Sequence, residues 1–126
     1  MIITSQYDSW LIYNGTEIGC VTDGKVGKTL TNCSSSDFIL IEKNRRILLD
    51  FLDMWAREDS KNSVWAISCS THMYLQFDDF YDSPNQKVPG VTGYKLREAV
   101  EKFVLEGEKI YMVDDVAWPG NALCAY

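Results

Sequence analysis

The chain has 126 residues, of which 46% are hydrophobic and 24% charged, and this composition is typical of one globular domain. Its net charge of −6 argues against nucleic-acid binding, because contacts to phosphates need clustered lysine and arginine. No apolar run approaches the roughly 20 residues that span a bilayer. The N-terminus lacks the basic and apolar segments of a signal peptide. We therefore expect a single cytoplasmic domain over residues 1–126, with no nucleic-acid and no membrane partner.

The cysteines show no C-x-x-C pair and no spacing typical of a zinc finger, so we predict neither a metal nor a cofactor. A cytoplasmic location is reducing, so the cysteines are expected to be mostly thiols. Cys20 and Cys69 lie in strand-like runs, where a free cysteine packs as a small hydrophobic residue. The four cysteines are Cys20, Cys33, Cys69 and Cys124.

A β-meander is predicted over the first quarter of the chain. Asn14-Gly15 is the strongest short-range hairpin signal, because a type I′ turn needs positive φ at both central residues. Asp23-Gly24 repeats that signal. The predicted strands are Ile2–Thr4, Trp10–Tyr13, Thr16–Thr22 and Lys25–Thr31.

The middle of the chain predicts a first helix and a strand pair. The brief apolar run Phe38–Ile41 leads into a helix over Glu42–Arg57. Two strands follow at Val64–Cys69 and His72–Phe77, and then a long loop at Asp78–Gly90. The predicted buried stripe of the helix comprises Ile47, Leu48, Phe51, Leu52 and Trp55.

The stretch Val91–Val113 predicts an amphipathic helix and a final strand. Thr92 is the expected N-cap, because its hydroxyl can accept a hydrogen bond from a free amide of the first turn. Gly107 stands where a left-handed residue ends a helix, and Lys109–Val113 is rich in β-formers. The helical apolar face comprises Leu96, Ala99, Val100, Phe103 and Val104.

Together these elements predict an α+β fold. An antiparallel β-sheet, made of the N-terminal meander, the central hairpin and the C-terminal strand, would pack against two amphipathic helices.

Catalytic signatures are sparse in this sequence. His72 is the only histidine, and it stands in none of the recognised metal or deaminase motifs. No serine-elbow motif is present, so we predict that the protein is not an enzyme. Triads assemble in space, however, and an enzyme that uses a cysteine or His72 is the alternative from another class.

An acidic and aromatic cluster opens the long loop and predicts a surface that binds a protein partner. Aromatic side chains bring buried contact area, and carboxylates seek arginine and lysine on a partner. The alternative is that the aromatic pair covers the edge of the core and that the carboxylates form a hydrated rim. The candidate contact residues are Asp78, Asp79, Phe80, Tyr81 and Asp82, with Asp114, Asp115 and Trp118 as weaker ones.

The order of these elements resembles small α+β immunity proteins of bacterial polymorphic-toxin and contact-dependent inhibition systems. The matching parts are Phe38–Arg57, Val64–Phe77, a variable loop and Thr92–Glu106. Within the last helix, the pattern is Leu96, Glu98-Ala99-Val100, Phe103 and Gly107.

The resemblance implies stoichiometric inhibition of a cognate toxin domain. Such a toxin would be basic, for instance a deaminase or nuclease, and an acidic inhibitor would gain association rate from electrostatic steering. A phage-encoded inhibitor of a host defence or transcription protein is the alternative within the same class.

Overall fold

The computed structural model describes residues 1–16, 18–24, 27–70, 81, 87–88 and 93–117. Within these residues, no helix is both long enough and apolar enough to cross a membrane. The helices of the described part are α1 (Ser9–Thr16), α2 (Ser35–Glu58) and α3 (Leu96–Leu105). Its strands are β1 (Ile2–Ser5), β2 (Val21–Gly24), β3 (Gly27–Leu30), β4 (Val64–Ile67), β5 (Lys87–Val88), β6 (Tyr94–Lys95) and β7 (Tyr111–Val113).

The main sheet is parallel, with strand order β1-β4-β7. Ile2 pairs with Val64 at one end of β1, and Ala66 pairs with Val113 at the end of β7. Parallel neighbours need long crossover connections. The segments that contain α2 and α3 provide them, since each lies between two strands of this sheet.

The central strand β4 is buried on both faces. Its residues Trp65 and Ile67 belong to a cluster that includes Leu96 and Ala99 of α3. Val64 and Ala66 point the other way, into a cluster with residues of α2. This arrangement explains the unbroken apolar run of β4, because a strand covered on both faces shows no polar alternation.

The predicted α+β class is confirmed, whereas the predicted antiparallel sheet is confirmed only in part. Two small antiparallel pairs, β2–β3 and β5–β6, stand beside the parallel sheet. The meander is wrong at its first strand, because β1 pairs with β4 rather than with its neighbour in the chain, and at its first hairpin, because Asn14-Gly15 lies in a helix. The second predicted hairpin corresponds to β2–β3, while the predicted strand His72–Phe77 lies outside the described residues.

The predicted strand Trp10–Tyr13 is helical, and Asn14-Gly15 lies inside α1 rather than in a turn. The cause is the side chain of Asp8. Its Oδ1 accepts hydrogen bonds from the amides of Trp10 and Leu11, both at 3.0 Å. A carboxylate in this position satisfies two amides of the first turn and starts a helix.

Helix α2 is a single helix that begins earlier than predicted, so Phe38–Ile41 belongs to it. Ser34 caps it: the Asp37 amide donates to Ser34 Oγ at 3.2 Å, and the Ser34 amide donates to Asp37 Oδ2 at 2.8 Å. This reciprocal pair is a capping box. Hydrogen bonds from the Ser34 hydroxyl and amide also hold the pKa of Asp37 below its ordinary value.

The buried face of α2 differs from the predicted stripe. Leu52 is buried as expected, and Leu48 and Trp55 are partly buried against the same cluster, but Ile47 and Phe51 are exposed. The buried side is rotated from the predicted one and includes Arg45, which hydropathy assigns to the surface and which is buried among polar partners. The buried residues of α2 are Ile41, Arg45, Leu52 and Ala56.

Helix α3 begins at Leu96, with Lys95 as the N-cap residue; the predicted cap, Thr92, lies outside the described residues. The Lys95 amide donates to Glu98 Oε2 at 2.9 Å, which closes the first turn. Gly107 has φ of +67°, so the predicted left-handed helix end is confirmed.

The prediction of free thiols is wrong. Cys20 and Cys33 form a disulfide with a Cα–Cα distance of 4.9 Å, and Cys69 is also disulfide-bonded. The β2–β3 hairpin brings Cys20 and Cys33 together, since the Thr31 amide donates to the Cys20 carbonyl at 2.9 Å. The cytoplasmic location stays a prediction, but without the support that reduced cysteines would provide.

Candidate active site

The strongest concentration of buried polar groups lies at the carboxyl edge of the parallel sheet. Strands β1, β4 and β7 end there, and the segments that follow them meet. Ligands of parallel sheets typically bind just beyond the carboxyl ends of the strands. This edge is therefore the candidate site.

Backbone hydrogen bonds tie the segment after β1 to the segment after β4. The Gln6 amide donates to the Ile67 carbonyl at 2.8 Å, and the Tyr7 amide donates to the Cys69 carbonyl at 3.2 Å. The Ser9 amide donates to the Ser70 carbonyl at 2.9 Å. The two segments thus run side by side past the sheet, and Asp8 lies in the paired stretch.

Asp8 also lines a cavity of about 200 Å³ between α1 and α2. Most of its wall is apolar, from residues such as Leu11, Ile12 and Leu48. Gln6 and Asn44 add polar groups. A mainly apolar cavity with a few polar groups is the usual form of a small-molecule site. The volume is below the roughly 300 Å³ of pockets for drug-sized ligands, so it suits a small substituent.

A buried network holds the segment after β1 in place. Gln6 Nε2 donates to the carbonyls of Ala66 at 3.1 Å and Asp114 at 2.7 Å. Arg45 Nε donates to Gln6 Oε1 at 2.7 Å, and its Nη2 donates to the Asp114 carbonyl at 3.4 Å. All three strand ends are thereby linked to α2 through one glutamine and one arginine.

Arg45 is held in turn by two other side chains. Its guanidinium lies over the Tyr7 ring at 5.6 Å from the centroid, and Nη1 lies 3.4 Å from Glu42 Oε2. The Tyr7 hydroxyl donates a hydrogen bond to the same Glu42 carboxylate. A buried guanidinium is tolerated when charge and hydrogen bonds compensate its lost hydration, and both do so at this position.

Asp114 is part of this network rather than of the surface. It is 1% exposed, and its Oδ2 accepts a hydrogen bond from the Ser68 amide at 3.1 Å. Its own amide donates to the Ala66 carbonyl at 3.0 Å. A side chain buried in this way lacks the exposure that the predicted contact with a protein partner requires.

The other predicted contact residues are only partly described. Asp115 is exposed, as a contact residue should be. Tyr81 packs against the core cluster around Trp65, with the Arg97 guanidinium 5.4 Å from its ring centroid. This placement matches the alternative in which the aromatic pair covers the core edge. The remaining predicted contact residues, Asp78, Asp79, Phe80, Asp82 and Trp118, lie outside the described residues, and the set as a whole stays untested.

Serines are abundant at this edge, but those that the structure describes are buried. Ser5 donates its hydroxyl hydrogen bond to the Cys69 carbonyl, and Ser68 donates its own to the Val116 carbonyl. Ser9 and Ser70 are also buried. None of these four presents an exposed hydroxyl to a substrate, so each is better explained as a structural residue. Among the described residues, no group of three or more histidine, cysteine or acidic side chains is arranged to hold a metal.

The pectinacetylesterase family model matches residues 1–125. The chain belongs to the pectinacetylesterase family. No curated protein and no solved structure matches it. The family is named after an esterase, so ester hydrolysis is the reaction to consider at the carboxyl edge of the sheet.

Family membership corrects several predictions. The resemblance to immunity proteins is wrong, and with it the toxin partner and the inhibitor function. The prediction that the protein is not an enzyme is wrong as well, since the family is one of esterases. The resemblance failed because it relied on the order of elements and on one amphipathic helix, which many unrelated folds share.

Sequence reasoning missed Asp8. A signal was present in the sequence Tyr7-Asp8-Ser9-Trp10, where Asp8 is a favourable N-cap residue between a strand and an apolar segment. It was overlooked because Trp10–Tyr13 was predicted as a strand that leads into a hairpin at Asn14-Gly15. His72, which was weighed only as an alternative, lies outside the described residues, two positions after Ser70 in the sequence.

Proposed function

We propose that this protein hydrolyses acetyl esters on a pectin-like polysaccharide, with Asp8 and His72 as the acid–base pair of the site. The proposal rests first on family membership, which supports an esterase reaction on an acetylated substrate. It rests second on the carboxyl edge of the parallel sheet, where the segments that precede these two residues are joined.

Ester hydrolysis at neutral pH requires a group that removes a proton from the attacking nucleophile and returns it to the departing alcohol. Histidine is the most common such group in enzymes. His72 is the only histidine of the chain. A carboxylate beside the histidine sets its tautomer and stabilises the imidazolium that forms during the reaction. Asp8 is the carboxylate proposed for that role.

The observation that carries the proposal is the hydrogen bond from the Ser9 amide to the Ser70 carbonyl at 2.9 Å. Ser9 directly follows Asp8, and Ser70 comes two positions before His72. In α/β-hydrolases the triad follows the chain order nucleophile, acid, histidine, so the acid precedes the histidine. Asp8 after β1 and His72 after β4 have that same order.

The cavity beside Asp8 is large enough for an acetyl group but too small for a sugar polymer, so only the acetyl group of the substrate would be buried there. Its volume of about 200 Å³ and its apolar wall suit a methyl group. The polysaccharide itself would then lie outside the cavity. In this mechanism His72 takes the proton of a serine hydroxyl as its oxygen adds to the acetyl carbonyl, and the sugar oxygen leaves with that proton. Water, deprotonated by His72 in turn, then attacks the acetyl-enzyme, which releases acetate and returns the proton to the serine.

The test compares acetate release from acetylated pectin by the unmodified chain, Asp8→Asn and His72→Gln. Each substitution should lower kcat/KM by at least about a hundredfold, the lower end of general acid–base contributions. Asparagine is as good an N-cap as aspartate, so Asp8→Asn should preserve α1 while it removes the charge. Glu101→Gln, on the exposed face of α3, is the matched control and should retain full activity.

Two outcomes would reject the assignment. One is an unmodified chain that releases no acetate, and the other is wild-type kcat/KM in both variants. A fluorophosphonate probe provides a second measurement, because it labels activated serines covalently. Peptide mapping of the label identifies the nucleophile, and the rate of labelling should fall in both variants if they activate it.

A further inference from the structure

Most polar side chains that line the cavity between α1 and α2 are already bound to other groups of the protein. The Gln6 side-chain nitrogen donates to two carbonyls, which uses both of its hydrogens. The Thr16 hydroxyl donates to the Ile12 carbonyl at 2.5 Å. The Ser5 hydroxyl donates to the Cys69 carbonyl. A hydroxyl carries a single hydrogen, so neither of these two can donate to a ligand while its bond holds.

The two other polar side chains of the wall are Asp8 and Asn44. A carboxylate only accepts hydrogen bonds, and Asp8 Oδ1 already accepts those of the Trp10 and Leu11 amides. The Asn44 side chain is half-buried and makes no hydrogen bond to any residue that the structure describes. Among the described side chains of the wall, Asn44 is thus the one hydrogen-bond donor left for a ligand.

Asn44 faces the cavity from a firmly held part of α2. Ile41, Asn44 and Leu48 are spaced by three and four residues, so they share one face of the helix, and all three line the cavity. The adjacent Arg45 is buried, and its Nε donates to Gln6 at 2.7 Å, which ties this turn of the helix to the segment after β1. The Asn44 amide therefore stands on a rigid element between two apolar neighbours. One polar group in such surroundings orients a small ligand.

The acetyl group of the proposed substrate carries one polar atom into this cavity, its carbonyl oxygen. That oxygen accepts hydrogen bonds and donates none, so its complement is a donor such as the Asn44 Nδ2. Negative charge develops on the same oxygen when a nucleophile adds to the carbonyl carbon. A fixed donor aimed at this position stabilises the transition state more than the bound ester, and asparagine side chains serve in this way in acyl transfer.

We propose that Asn44 donates a hydrogen bond to the carbonyl oxygen of the acetyl group and stabilises the charge that develops there. This role rests on the proposed ester hydrolysis and adds a third residue to it. His72 takes and returns the proton, Asp8 supports His72, and Asn44 holds the oxygen without transferring a proton. The apolar wall receives the methyl group.

Asn44→Leu tests this role, because leucine has nearly the shape of asparagine and no hydrogen-bond donor. With p-nitrophenyl acetate as the substrate, kcat should fall by about 10²–10³-fold, as for loss of one oxyanion donor, while KM changes much less. Lys43→Leu introduces the same side chain at the adjacent, exposed position and should keep the parent kcat. Circular dichroism and thermal unfolding check the fold of both variants.

Asn44→Asp is the second variant, in case leucine disturbs the fold. Aspartate keeps the size and polarity of asparagine, but its carboxylate cannot donate a hydrogen bond and repels the developing negative charge. The loss of kcat should therefore be at least as large as in Asn44→Leu.

A thionoester gives a readout that a purely structural role would leave unchanged. In p-nitrophenyl thionoacetate, sulfur replaces the carbonyl oxygen, and sulfur is the weaker hydrogen-bond acceptor. The parent chain should prefer the oxygen ester after correction for the uncatalysed rates. That preference should largely disappear in Asn44→Leu, because the comparison isolates the contact between side chain and substrate, as a double-mutant cycle does.

Parent-like kcat in Asn44→Leu or Asn44→Asp overturns the proposal. A loss of kcat that is equal for the two esters does so too, because it indicates a general disturbance of the fold. In both cases the proposed ester hydrolysis stands as long as Asp8→Asn and His72→Gln lower the activity. A parent chain that hydrolyses neither ester instead rejects the proposed function, and the role of Asn44 with it.

Discussion

At the scale of single residues, the most informative side chains are the buried polar ones. Gln6, Arg45 and Asp114 come from three distant parts of the chain and meet at one edge of the sheet. Each has at least one hydrogen-bond partner inside the protein, as buried polar groups generally do. They fix the backbone next to Asp8, and the proposed esterase site would need such fixed surroundings because reacting groups must be held within fractions of an ångström.

Asp114→Ala should destabilise the fold by about 1–3 kcal/mol, since it leaves the buried Ser68 amide without its acceptor. Asp114→Asn should cost less, because the amide oxygen can still accept that hydrogen bond. Urea unfolding followed by tryptophan fluorescence measures both. Asp115→Ala is the control, exposed and one residue away, and is expected within about 0.5 kcal/mol of the parent. Equal stability of Asp114→Ala and Asp115→Ala would contradict this account.

At the scale of elements, helix ends were set by local hydrogen bonds and backbone conformations. Asp8 and Ser34 each start a helix through a side-chain oxygen. Gly107 ends α3 with a positive φ, and its ideal Cβ would meet nothing within 4 Å. The reason for glycine at this position is thus the backbone conformation and not the available space.

Two alanine substitutions test this distinction. Gly107→Ala should cost about 1–2 kcal/mol, because an L-residue is strained at φ of +67°. Gly15→Ala should instead gain up to about 1 kcal/mol, because Gly15 lies in α1 and its ideal Cβ also meets nothing within 4 Å. Thermal unfolding of the two variants should shift in opposite directions. A shift in the same direction would mean that conformation does not decide the effect at one of these glycines.

At the scale of the whole molecule, the parallel sheet and the disulfide both depend on contacts between distant segments. The Cys20–Cys33 bond closes a short loop around β2 and β3, with a sequence separation of 13. It secures the part of the chain between α1 and α2, which otherwise depends on a separate core cluster around Tyr7, Ile18 and Ile41. A cross-link stabilises chiefly by restricting the unfolded chain.

The double variant Cys20→Ser/Cys33→Ser should lose about 3 kcal/mol of stability, the value expected for a loop of this length. Guanidinium unfolding without reductant keeps the disulfide of Cys69 intact during the comparison. A free-thiol assay of the unfolded parent chain provides the control and should detect neither Cys20 nor Cys33. Detection of both thiols, or an unchanged unfolding midpoint in the double variant, would count against a stabilising cross-link.

Much of the secondary structure followed from local pattern. Ile2–Ser5, Val64–Ile67 and Tyr111–Val113 are strands as predicted, and the two longer helices were both identified. Predictions were wrong where one local sequence signal was outweighed by another interaction. Asn14-Gly15 indicated a turn, but the Asp8 cap and the burial of Ile12 favoured a helix. The predicted buried stripe of α2 was partly misplaced, because hydropathy does not predict that an arginine is buried.

The candidate site was less accessible to sequence reasoning than the fold. The sequence shows His72 as a lone histidine and gives no reason to single out Asp8, since nothing local connects two residues that are 64 positions apart in the chain. Once β1 and β4 are paired in parallel, the segments that follow them are adjacent, and the Ser9–Ser70 hydrogen bond joins them. The proposal that Asp8 and His72 act together therefore rests on the topology of the described segments up to Ser70.

The sequence by itself determined the α+β class and most of the element types, because hydrophobic period and helix-end chemistry act within a few residues. Only the tertiary structure decided that the main sheet is parallel, that Asp114 is buried and that Cys20 is cross-linked. Each of these depends on which distant segments meet. That choice is made by the shared burial of strands and helices around β4, and local pattern does not encode it.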